Sequence, residues 1–205
     1  MRATTTTETD LQALMQARFD RTIAVAEAFF AREDERIAQA CWAMARRFHR
    51  GGRLLACGNG GCATDAQHVA VEFVHPVIVG KRALPALALT NDSALISALS
   101  TGGSSGVAFA RQFSVLAAPQ DIAMGFSPDG HCPNVLEALW VAGSKGLLTL
   151  ALVGADGGPM ATAGFDFCFV VPDTDPFVVQ ETHETLYHVL WELVHVFFEH
   201  EGLLT

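Results

Sequence analysis

A chain of 205 residues has room for one domain with a sizeable core and little room for two. Half of its residues are hydrophobic and only 17% are charged, which leaves apolar surface to spare for subunit contacts. No apolar run reaches the ~18 residues of a membrane span, and a net charge of −9 disfavours nonspecific binding to nucleic acid or an anionic membrane.

The N-terminal residues are polar and have no apolar stretch of the kind a secretion signal needs. Apolar residues then recur with helical spacing at Leu11, Leu14, Met15, Phe19, Ile23, Ala26 and Phe30, which predicts a first helix. A second is expected from about Asp34 to Arg50, stopped by Gly51-Gly52. Residues 1–52 thus read as an N-terminal helical arm, and 53–205 as the domain proper.

From there strands and helices alternate. Strand-like runs are Leu54–Cys57, Ala86–Thr90, Ile122–Phe126, Leu147–Val153 and Phe167–Val171. Helical patterns lie between them at about 61–75, 92–98, 107–117 and 133–145, with a weak one at 159–163. A long final helix, from about Pro176 to Glu201, is apolar nearly all round. Continuous apolar strands separated by helices predict an α/β fold, a parallel sheet of five strands covered on both faces. In such sheets ligands sit beyond the carboxyl ends of the strands, where the strand order switches.

The stretch most informative about chemistry is Leu54–Glu72. A buried strand breaks at Gly58-Asn-Gly-Gly61, and the helix that follows carries His68 and Glu72 on one face. A glycine turn into a helix N-terminus is a ready site for an anion or polar ligand. A His-x3-Glu pair alone is more often a local polar pair than a site. On the last helix, Gln180 and His188 share a face, but His183, His195 and His200 are there too, and periodicity does not choose among them. Five scattered cysteines with no C-x-x-C pair fit a reducing cytoplasm rather than a disulfide scaffold.

Taken together, these motifs resemble the phosphoheptose isomerase branch of the sugar isomerase (SIS) domain family. The matching features are Gly58-Asn-Gly-Gly with His68-x3-Glu72, Asp92 after the second strand, Gly154-x-Asp-Gly-Gly158 after the fourth, and Gln180-Glu-x-His183-x4-His188. The resemblance implies a three-layer α/β/α sandwich assembled as a homotetramer, a dimer of dimers, with active sites between subunits. It implies aldose–ketose isomerisation of sedoheptulose 7-phosphate or a related sugar through an enediol, with Glu72 as base and His188 as acid. It also implies one Zn²⁺ per site on His68, Glu72, Gln180 and His188, and substrate contacts from Asn59, Gly60, Gly61, Cys62, Asp92, Ser127, Asp129, Cys132 and Gln180. Two imidazoles, a carboxylate and an amide oxygen suit zinc chemically.

The phosphate-binding half departs from the family. Ser127-Pro-Asp-Gly-His-Cys132 stands where relatives have Ser-Thr-Ser-Gly-Asn-Ser. Cys62 replaces a serine, Pro76 an arginine, Phe177 an aspartate, and 101–106 a stretch richer in aspartate and aromatics. Lys81, Arg82, Arg111 and His131 are candidates for replacement positive charge. Two alternatives to the isomerase follow: a non-catalytic SIS-type binding protein, or a zinc enzyme acting on a substrate without phosphate.

Overall fold

The computed structural model describes residues 8–100, 107–200, 202 and 204. The segment 101–106 singled out above lies outside them. Five parallel strands form one sheet in the order β2-β1-β3-β4-β5: β1 (Leu54–Gly58), β2 (Ala86–Ala88), β3 (Ile122–Ser127), β4 (Leu148–Gly154) and β5 (Phe167–Val171). Every residue of β1, β3 and β4 is buried, as their uninterrupted apolar sequences require. The second strand stops two residues short of the expected Thr90, because the chain turns there toward the next helix.

Alternate residues of each strand feed two separate cores. Leu54, Ala56, Met124, Phe126, Leu150 and Leu152 face one way, and pack with α1 (Glu8–His49), α2 (Gly61–Val74) and α6 (Pro176–Glu199). Leu55, Cys57, Ala123, Ala151 and Val153 face the other, against α4 (Ala108–Leu116) and α5 (Pro133–Ser144). With α3 (Ser93–Ser100) beside α4, this is the three-layer α/β/α sandwich that the alternation of elements predicts.

The two expected N-terminal helices are a single helix of 42 residues, ~60 Å long at 1.5 Å per residue. The polar run Arg32–Arg36 looked like a gap but holds no glycine or proline, and its charges are used in place. Glu33, 6% exposed, pairs with Arg32 at 2.9 Å and Arg36 at 2.5 Å, while those two arginines donate to the carbonyls of Val170 and Cys168 on β5. From Phe29 onward the helix is a layer of the core; before it, Leu11, Leu14, Met15, Phe19 and Ile23 form an exposed apolar stripe. Arg21 grips Asp173 with two hydrogen bonds of 2.9 and 2.6 Å, tying this part of α1 to the approach of α6. Asp175 then caps α6 by accepting from the backbone N–H of Phe177, with Pro176 in the first turn.

Among the described residues, no helix is long and apolar enough to cross a membrane.

Candidate active site

Strand order reverses between β1 and β3, and the chain opens a crevice of about 150 Å³ there. Asn59, Gly61 and Cys62 line it from the β1–α2 turn, Pro128 from the loop after β3, and Gln180 and His183 from α6. Gly60 takes φ of +56°, which lets the chain turn from strand into helix, and among the described residues no side chain caps the start of α2. Asn59 and Asn134 exchange two amide hydrogen bonds of 2.8 Å, joining the β1–α2 turn to the first turn of α5 across the switch point.

One end of this groove is buried and polar. The Gln180 amide donates to the Gly61 carbonyl at 3.1 Å and to Asp65 Oδ1 at 3.0 Å. Asp65 is buried, its second oxygen has no partner among the described residues, and burial raises its pKa to about 6 against the lowering effect of the Gln180 hydrogen bond. Burial, reinforced by the charge of Asp65, pushes the Cys62 thiol up to about 12, so it stands here as a neutral thiol. His183 is fully buried against Phe126, and burial lowers its pKa to about 4. It lies near the Val153 carbonyl, which favours a proton on the ring, but neither nitrogen completes a well-aligned hydrogen bond among the described residues.

One turn further along α2 and two along α6, three potential proton carriers meet. His68 Nε2 stands 3.3 Å from Glu72 Oε1, and His188 packs edge-on to His68 with ring centroids 5.1 Å apart. Each of the three offers a ligand atom, and these atoms lie within 4.8 Å of one another, close enough to share one metal ion. All three are supplied by α2 and α6 of one chain. The sequence reading put Gln180 in the same ligand set. In the structure its amide nitrogen donates to the first turn of α2, bonds that do not engage the amide oxygen a metal would use. The indole of Trp191 fastens the helix pair by donating to the Glu72 backbone carbonyl at 2.8 Å.

The loop after β3 has satisfied itself. Ser127 Oγ accepts from the Gly130 N–H at 2.9 Å, and Asp129 Oδ1 accepts from the His131 N–H at 2.9 Å. His131 Nδ1 turns back to the Asp129 carbonyl, 2.9 Å away. Two backbone donors and a serine hydroxyl that could hold an anion are thus occupied from within. Gly130 has φ of +74°, and a Cβ there would sit 1.8 Å from the Gly157 carbonyl oxygen. Gly130→Ala is expected to cost more than ~2 kcal/mol, from strain plus a backbone clash, measurable by urea unfolding.

Other anticipated contributors lie elsewhere. Asp92 caps α3 through the Leu95 N–H at 2.8 Å and lines a neighbouring apolar cavity of about 410 Å³ together with Arg111. Lys81 pairs with Glu199, and the Arg82 guanidinium lies over the Phe198 ring. None of Lys81, Arg82, Arg111 and His131 is among the residues lining the crevice. Sequence reading missed Asp65, Glu184 and Tyr187. Asp65, His68 and Glu72 fall on one helical face by spacing, and Glu184, Tyr187 and His188 on another, so the signal was present.

A model of the SIS domain matches residues 19–154. The chain is 39% identical to a phosphoheptose isomerase of Solidesulfovibrio magneticus over 91% of both chains, and 39% identical to one from Nitratidesulfovibrio vulgaris over 84% of this chain and 83% of that protein. The structure of phosphoheptose isomerase from Neisseria gonorrhoeae superposes with a TM-score of 0.83 at 32% identity, covering 90% of this chain and 98% of that one. The enzyme from Francisella tularensis gives 0.85 at 28% identity with the same coverage. With its switch-point crevice and its His68–Glu72–His188 cluster, the chain belongs to the SIS domain family, on the branch of the phosphoheptose isomerases.

Proposed function

We propose that this chain is an aldose–ketose isomerase of the phosphoheptose type, acting on sedoheptulose 7-phosphate or a related sugar. The observation that carries the proposal is the meeting of His68, Glu72 and His188 beside the switch-point crevice in a chain so similar to phosphoheptose isomerases. With the sugar chain lying in the crevice and its carbonyl end at the cluster, Glu72 takes the proton from the carbon beside the carbonyl. His188 gives a proton to the carbonyl oxygen, leaving an enediol. Glu72 then returns its proton to the neighbouring carbon while His188 takes one from the other hydroxyl, so no proton is gained or lost overall. His68 holds Glu72 in place from the side.

Zinc fits the donor set, and when bound at His68, Glu72 and His188 it would polarise the sugar carbonyl as a Lewis acid. The exposed stripe from Leu11 to Ile23 supports assembly through α1, in line with the homotetramer expected for this family, and the scattered cysteines support a cytoplasmic setting.

One observation favours a second reading, the same isomerisation on a sugar without a phosphate. The N–H groups of Gly130 and His131 are already bonded, Pro128 has none, and Asp129 adds negative charge beside the crevice. Incubating purified protein with sedoheptulose 7-phosphate and, separately, with free sedoheptulose tests both readings. Aldose formed from the phosphorylated sugar supports the first, and aldose formed only from the free sugar supports the second. No turnover of either, with and without added zinc, sinks both.

A further inference from the structure

We propose that Tyr187 is a positioning residue for the cluster: it holds His68 with Nδ1 turned to the phenol and the Nε2–H directed at Glu72. The roles of His68 and Glu72 rest on the isomerase reading above, whereas the state of the His68 ring does not. Tyr187 is 1% exposed, and its hydroxyl lies 2.7 Å from His68 Nδ1. Its ring meets His68 edge-on at 5.3 Å and His188 edge-on at 4.9 Å, so one side chain touches both imidazoles.

The partners on the two sides of the ring select one tautomer. An ionised carboxylate only accepts hydrogen bonds, so Glu72, 3.3 Å from Nε2, calls for a proton on that nitrogen. A phenol can donate, so Tyr187 satisfies a bare Nδ1. Glu184 also approaches Nδ1, at 3.6 Å, too far for a good hydrogen bond but near enough to compete if the phenol is removed. Because a phenol also accepts, Tyr187 can serve the ring when Nε2 is needed as a metal ligand, the kind of outer hydrogen bond that orients ligating histidines. Glu184, Tyr187 and His188 stand at i, i+3 and i+4, so one face of α6 supplies the whole arrangement to α2.

The test is Tyr187→Phe, which keeps the buried ring and removes only the hydroxyl. In metal-free protein, at a pH where imidazole is neutral, ¹⁵N NMR of labelled histidines should show His68 as the Nε2–H tautomer, assigned by its loss in His68→Gln. In Tyr187→Phe the two tautomers should mix. Zinc affinity, measured by competition with a chromophoric chelator, should fall about 10- to 100-fold. Turnover should lose kcat over the same range with KM within about twofold, since Tyr187 does not touch substrate. A thermal midpoint close to that of the parent confirms that Tyr187→Phe is folded. The Nδ1–H tautomer in the parent protein, or an unchanged tautomer and zinc affinity in Tyr187→Phe, overturns the proposal. So does a tautomer that moves in Glu184→Gln but not in Tyr187→Phe. If the parent turns over no sugar, the isomerase reading fails, and the NMR and zinc measurements still decide the role of Tyr187.

Discussion

Glu72→Gln should lower kcat by about 10²- to 10⁴-fold, the usual share of a positioned general base, equal to roughly 3–5 kcal/mol of barrier. The substitution changes one oxygen to an amide and leaves the volume intact. The backbone carbonyl that receives the Trp191 indole is untouched, and the remaining oxygen can still face His68 Nε2. KM should therefore change little, because the variant loses the group that moves the proton rather than the groups that hold the sugar. Progress curves on whichever sugar the parent turns over provide the measurement. A variant keeping a tenth or more of the parent kcat would remove Glu72 from the role of base.

The second large effect concerns stability. The pKa of Asp65 is raised from 3.8 to about 6, so its contribution is fully present below pH ~4 and is lost as pH rises through about 6. That of His183 is lowered from 6.5 to about 4, so its contribution is present above pH ~6.5 and is lost as pH falls through about 4. Each shift is worth at most ~3 kcal/mol at 1.36 kcal/mol per pKa unit. Across pH 4–6 the two slopes oppose each other, and the parent should show little dependence from this pair. Asp65→Asn keeps the oxygen that accepts from Gln180 and removes one slope. It should be more stable than the parent at pH 7 and lose stability steeply on acidification from pH ~6.5 to ~4. His183→Phe, beside Phe126, should do the reverse and weaken as pH rises from ~4 to ~6. Urea unfolding across pH 4–7 reads both, and curves parallel to the parent's would show that these groups are not the source.

The sheet was legible because buried parallel strands leave an unmistakable run: Leu54–Gly58 and Leu148–Gly154 have no polar side chain on either face except Thr149. The break imagined near Arg32 shows the limit of polarity as a signal. Charged residues mark a helix end only when their partners lie in solvent, and here the partners are Glu33 and two strand carbonyls. At the site, His68, Glu72 and His188 were found through motif order, since spacing alone could not separate His188 from its neighbours on α6. Tyr187 escaped notice because a tyrosine inside an apolar run reads as packing. Only the docking of α6 on α2 reveals what its hydroxyl touches. The self-bonded loop was half legible: Pro128 and Asp129 announced a change at the anion pocket, but the Ser127 bond to Gly130 depends on the positive φ of that glycine.

The docking of α6 on α2 also sets an order of events in folding. His68 and Tyr187 are separated by 119 positions in the chain, so their contact closes a loop that holds almost the whole sheet. Loop closure of that length comes late, after the local strand–helix units have formed. During synthesis the chemistry cannot appear until the final helix has left the ribosome, by which time β1 to β5 are already available to pair. A refolding experiment should therefore recover far-ultraviolet signal ahead of activity, and the lag between them measures the arrival of the last 24-residue helix.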